Sequence, residues 1–263
     1  MNKVLIVVFS LMLFACISEK EKNDVSDNYP KDSTISSTSG VPKDSLTFYF
    51  PTSIRKDSQN IQIDIDTNEL NYYSSGLYCA KEKILYNYYQ GHDIYRFTLL
   101  RSFYLPVYCT LQKDEDSVWM DVKVLDRQPQ TMTMDIIRYN HKLPTNYNSK
   151  SNRLSEGNDT IFIKPDRQAK IIYHQTIKLT LQDWNDFEKL LEKCNFWNTT
   201  PQNPEREFVQ LHAPVWFIEA HLKHKYWFSI KLDPDGTLFG KAGLYLLGKS
   251  GLLSKPIYTQ YLD

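Results

Sequence analysis

Glycine is scarce in this chain, 9 among 263 residues, so long glycine-rich phosphate loops are not expected. Neither a P-loop nor a dinucleotide-binding fingerprint occurs. Gly248-Lys249-Ser250-Gly251 does not have the spacing of a Gly-x-Ser-x-Gly nucleophile elbow. Four cysteines are present and none forms a Cys-x-x-Cys pair, which removes support for a thioredoxin-like role. Neither sign of charge is in excess, with 31 Lys plus Arg against 31 Asp plus Glu. That balance argues against a nucleic-acid partner, which needs a basic face. Apolar runs approaching the roughly 20 residues of a bilayer-spanning helix are missing as well. Aromatics, by contrast, make up 14% of the chain, including 18 Tyr and 13 Phe. They supply bulk for a substantial core and favour strands.

The N-terminus reads as an address. Met1-Asn2-Lys3 carries one positive side chain, and Val4 to Leu13 is apolar apart from Ser10. This has the length of the hydrophobic region of a secretory signal peptide. Leu13-Phe14-Ala15-Cys16 then resembles the lipobox of bacterial lipoproteins. The resemblance implies cleavage between Ala15 and Cys16, with a diacylglycerol thioether on Cys16 and a further acyl chain on its amino group. Two or more chains give stable attachment where one is marginal. The domain expectation is a signal peptide over 1–15, a lipid-anchored disordered tether over 16–43 and a globular domain over 44–263. The tether is rich in Ser, Thr, Asp, Lys and Asn and poor in periodic apolar residues. About 27 flexible residues span roughly 30 Å. The charged cluster Ser18 to Lys22 reads either as a solvated spacer or as resembling lipoprotein surface-export signals.

The body alternates with period two. Ile61, Ile63 and Ile65 share a face, as do Tyr95, Phe97 and Leu99, then Val107, Cys109 and Leu111, then Val118, Met120, Val122 and Val124. Such runs predict strands with one buried face. Lys113 to Asp116 predicts a hairpin turn. Trp216 to Leu222 and Tyr226 to Leu232 predict a second hairpin, closed off by Asp233-Pro234-Asp235-Gly236. Helices are expected after the cap Thr180, with Trp184, Phe187, Leu191 and Cys194 as a buried stripe, and over Gly240 to Leu253 with Leu244 and Leu247 inward. A third is expected over Asn68 to Ala80. The fold class is α+β, a mainly antiparallel sheet with two or three helices in a single compact domain.

Tyr95 to Phe103 with Pro106-Val107, and Phe196-Trp197 with Trp216-Phe217-Ile218-Glu219 and Tyr226, resemble two blocks of uncharacterised bacterial envelope proteins, many of them lipoproteins. The resemblance brings no activity with it. This chain departs from it at His212-Ala213-Pro214, where an Asp-Gly pair is expected before the tryptophan.

Candidate chemistry is sparse, and no cofactor is called for. Cys79, Cys109 and Cys194 allow a disulfide in an oxidising envelope, Cys79 with Cys109 first, or stay reduced as small hydrophobes. Glu219, His221 and His224, with His212 nearby, carry metal-ligating groups at the wrong spacing for a helical zinc motif, and no metal site is expected. Glu219 interrupts an apolar strand, and a glycosidase pair with Asp121 is one reading of it. Another is a buried ion pair, since charge in an apolar face needs a partner: Arg101 first, Arg96 as the alternative. Tyr72, Tyr73, Tyr78, Tyr86, Tyr88 and Tyr89 crowd one segment, as core residues or as a platform for a glycan or envelope protein. The expected function is a non-catalytic binding or assembly lipoprotein, anchored to the bilayer through Cys16, in the outer membrane. The alternatives are an envelope hydrolase and an immunity-like toxin-blocking protein.

Overall fold

The computed structural model describes residues 27–56, 59–128, 169–201 and 213–261. Cys16, Ala15 and the whole expected signal peptide lie outside them. A short antiparallel pair, β1 (Ser53–Lys56) and β2 (Gln59–Gln62), leads into helix α1 (Thr67–Cys79). Then come β3 (Asp93–Arg101), β4 (Tyr104–Lys113), β5 (Val118–Leu125) and β6 (Ile171–Leu179). Helix α2 (Leu181–Lys193) precedes the hairpin of β7 (Val215–Leu222) and β8 (Lys225–Leu232), and α3 (Leu238–Ser250) follows it. The last six strands form one antiparallel sheet in the order β6-β5-β4-β3-β7-β8. The fold is therefore α+β, with a mainly antiparallel sheet and three helices among the described residues.

The sheet is covered on both sides. Tyr95, Phe97, Val107, Cys109 and Ile218 share one face. There Tyr95 meets Trp184 and Phe187 of α2, and Phe97 meets Trp216 beside Gly243 of α3. Arg96, Tyr108, Thr110, Phe217 and Glu219 share the other face. There Phe217 packs on Phe50 and on Tyr73 of α1. The alternation in β3 thus separates two interiors rather than an interior from solvent, and Ile94 to Leu100 is buried throughout.

Local chemistry explains the ends. Thr180 and Asp183 form a reciprocal capping box at the start of α2. The predicted stripe of Trp184, Phe187 and Leu191 is buried, whereas Cys194 is the half-buried residue after the helix. Thr237 caps α3, which begins two residues before the expected start. Its inward residues are Phe239, Ala242, Leu246 and Leu247, and Leu244 is exposed. Ile63 and Ile65 are buried but lie past the end of β2 in irregular chain.

The tether expected over 16–43 is corrected over its second half, because residues 27–43 pack on the body. The Asn28 side-chain amide donates to the Tyr226 carbonyl and accepts from the Tyr226 N–H, as a neighbouring strand would on the edge of β8. The Tyr29 hydroxyl donates to the Lys223 carbonyl, and its ring lies 4.3 Å from that of His221. Asp32 and Asn87 exchange two hydrogen bonds. Polar composition concealed this segment because it is seated by hydrogen bonds more than by apolar burial.

Candidate functional site

Four polar residues stand directly opposite one another across four strands. Asp121 of β5 faces Thr110 of β4, Thr110 faces Arg96 of β3, and Arg96 faces Glu219 of β7. Cross-strand partners share a face, so this row crosses the sheet under α1 and the chain that follows it. Arg96 and Glu219 are both 1% exposed and hydrogen-bonded to each other. The expected pair with Arg101 is corrected to the alternative, Arg96. Arg101 ends β3 at its bulge, where its guanidinium lies between the Tyr104 and Tyr258 rings and donates to the Tyr258 carbonyl.

Other groups complete the network. The Tyr226 hydroxyl donates to Glu219 at 2.9 Å, and Arg96 donates to the Lys83 carbonyl at 2.6 Å. Glu82, in the connection after α1, accepts from Thr110 at 2.9 Å and from Lys123 at 2.7 Å. Its other contact is Arg96 at 3.7 Å. Burial pushes the Glu219 carboxyl above its ordinary range against the pull of Arg96. Burial also opposes the Arg96 charge, but Glu219 and Glu82 outweigh it and hold the guanidinium protonated. The network pins the connection 80–92 to the sheet, and both carboxylates spend their lone pairs on protein donors.

Above Glu82 opens a cavity of about 440 Å³. Val41, Pro42, Tyr49, Tyr78 and Cys79 line it, together with the exposed Lys81 and Lys83. Two backbone features shape it. Lys81 follows the last turn of α1 in the left-handed region, φ 53°, a position glycine usually takes. Gly40, at φ 76°, accepts the Ile84 N–H on its carbonyl, and a Cβ there would stand 2.9 Å from that of Lys83. Gly40 thereby lets the 36–42 turn come close enough to set Val41 and Pro42 in place.

The remaining sequence candidates have other partners. No disulfide joins Cys79 and Cys109, so of the two readings the pairing is the one set aside. The reason is topological: Cys109 points to the α2–α3 face and α1 lies on the opposite one. Asp121 and Glu219 are three strand spacings apart, about 14 Å, beyond the ~5–9.5 Å of a glycosidase pair. His221 Nδ1 contacts the Leu85 carbonyl, which can only accept, so that nitrogen carries the proton. His224 faces Asp27 at 2.9 Å, and His212 lies outside the described residues. No group of three His, Cys, Asp or Glu residues poised for a metal occurs among the described residues.

The crowded tyrosines are seated in the body. Tyr73 and Tyr86 are buried, and Tyr72, Tyr88 and Tyr89 donate to Gln128, the Lys31 carbonyl and Asp93. Sequence reasoning missed Glu82 and Lys123, because Lys81-Glu82-Lys83 has the pattern of a solvated charge run. The pocket walls come from segments distant in sequence, with no shared motif to flag them. No family model matches the chain, and no curated protein or solved structure matches it either.

Proposed function

We propose that this chain is a lipid-anchored protein of the bacterial cell envelope, held in the outer membrane by acylated Cys16, whose body binds a small ligand without transforming it. The Leu13 to Cys16 motif supports the anchor. Among the described residues no helix is long and apolar enough to cross a membrane, so attachment rests on that motif. The observation that carries the binding reading is the cavity over Glu82. It has the size of a small-molecule site, within the usual range of about 300–1,000 Å³. Its carboxylate is already bonded to Thr110 and Lys123, and Glu219 is sealed beneath with Arg96 and Tyr226. Neither has the open position that general acid–base work requires.

Native mass spectrometry of the protein extracted from its own membrane tests both halves. The expected result is a mass increase of a diacylglycerol and an acyl chain on a chain beginning at Cys16, plus a bound species that a Val41→Trp variant loses. Val41 is exposed, so the added indole enters the cavity mouth without disturbing the core. An unmodified thiol would remove the envelope placement. A bound species retained in full by the variant would remove the cavity.

A further inference from the structure

We infer that the cavity over Glu82 takes a small organic acid, an anionic head on an apolar body; this rests on the reading of the cavity as the binding site. Charge is the first argument. Lys81 and Lys83 line the cavity as exposed residues, and among the described residues neither ammonium has an acidic partner. Beneath them Arg96 and Lys123 are matched by Glu82 and Glu219. Among the described residues the buried charges beneath are therefore balanced and the two exposed lysines carry uncompensated positive charge. A cavity that concentrates one sign of charge at its mouth draws in the opposite sign.

The walls give the second argument. Val41, Pro42, Tyr49, Tyr78 and Ala169 line the cavity with aliphatic and aromatic surface, and Tyr49 and Ala169 are buried where the lysines are exposed. An apolar body buried there gains from leaving water, while its anionic head stays at the rim, where desolvation costs least. A cationic ligand would meet the lysines first, and an uncharged one would leave their field unused.

The backbone gives the third. Lys81 occupies a left-handed position, φ 53°, where a non-glycine residue is strained. Its placement keeps an ammonium at the rim where glycine would fit the backbone better. Lys83 is fixed by its own carbonyl, which accepts from Arg96, so both lysines are set by backbone bonds and leave their side chains free for a ligand.

Isothermal titration of the purified full chain in non-ionic detergent, referenced to protein-free micelles, tests the assignment. Biphenyl-4-carboxylate, its uncharged carboxamide and decanoate are the probes. The expected result is one-to-one binding of a carboxylate at least tenfold tighter than the amide, weakened by salt. Decanoate and the biphenyl acid then distinguish a lipid-derived from an aromatic ligand, and preference for either supports the assignment. A Lys81→Glu, Lys83→Glu double variant should erase the gap between acid and amide while keeping the near-UV circular dichroism of the parent. Equal binding of acid and amide overturns the ligand class and leaves the cavity as a binding site. No saturable binding by any probe overturns both. A gap that survives in the double variant overturns the role of the two lysines, and with it the inference.

Discussion

Arg96 and Glu219 sit where water cannot reach either charge, so each depends on the other. Removing one member of such a pair typically costs 3–5 kcal/mol, because the other is left buried and uncompensated, whereas replacing both by apolar residues of similar volume is often close to neutral. Arg96→Met leaves buried Glu219 without its cation and removes the 3.7 Å contact to Glu82, which keeps Lys123. Glu219→Leu leaves Arg96 with Glu82 alone, at 3.7 Å, and leaves the Tyr226 hydroxyl without its acceptor. Urea unfolding should therefore show each single variant destabilised by about 3 kcal/mol or more, and the double variant destabilised by less than the sum. Additive losses would show that the pair does not act as a unit.

His221 gives a pH signature at the same scale. Packed by Tyr29, Tyr89 and Tyr226, it is pushed by burial down to about 4 from the usual 6.5, against the opposing hydrogen bond to the Leu85 carbonyl. Between those values the unfolded chain binds a proton that the folded one does not. Stability therefore falls as pH drops from about 6.5 to about 4, by up to about 3 kcal/mol from this residue, and no further below. Glu219, with its raised pKa, works in the opposite direction, so the readout is a difference. His221→Gln should show a smaller loss of stability across that window than the parent, and equal slopes would refute the assignment. From sequence alone Glu219 is out of place in its apolar strand, with Arg101 the first partner and Arg96 the alternative. The register decides between them: Arg96 stands directly opposite Glu219, and Arg101 is five residues further along at a bulge.

Elements with self-contained chemistry were readable from sequence. Helix α2 announces itself through Thr180, Asp183 and a stripe at helical spacing, because capping and amphipathicity are local. The hairpins followed from alternation and turn residues for the same reason. What alternation could not tell is whether a strand's second face meets water. Arg96 and Thr98 occupy the second side of β3, and α1 and its flanking chain cover them. Pro106 is a related case, since proline avoids interior strands. It is tolerated in β4 because the ladder shifts register there, between Leu99 and Arg101. Asp183 joins elements as well as capping one. It receives Lys249 of α3 at 2.5 Å and lies 3.4 Å from the Tyr245 hydroxyl. The hydrogen bonds from Lys249 and Thr180 hold its carboxyl well below the usual aspartate range. Asp183→Ala should lower stability by about 1–2 kcal/mol, the scale of a lost cap, in thermal or urea melts at neutral pH. A variant within a few tenths of the parent would mean that the α2–α3 contact is held by apolar packing alone.

At the scale of the whole molecule, the open question is where the folded body begins. Composition puts the boundary at 43/44, but residues before it already pack on the body, among them Asp27, which pairs with Lys31 and His224. From there the chain passes Tyr226, His221 and Asn87 before its 36–42 turn forms a wall of the cavity. This segment therefore links the end nearest the proposed anchor to the proposed ligand site. Two truncations separate the boundaries. A chain starting at Asp27 should unfold cooperatively, with the stability of the full-length protein. A chain starting at Asp44 loses the Asn28 bonds on the edge of β8, the Tyr29 cover over His221 and the Val41–Pro42 wall. It should unfold at lower denaturant, show faster amide exchange in β8 and bind biphenyl-4-carboxylate at least tenfold more weakly. If both truncations melt alike and bind alike, residues 27–43 are a spacer after all, and the cavity needs no wall from them.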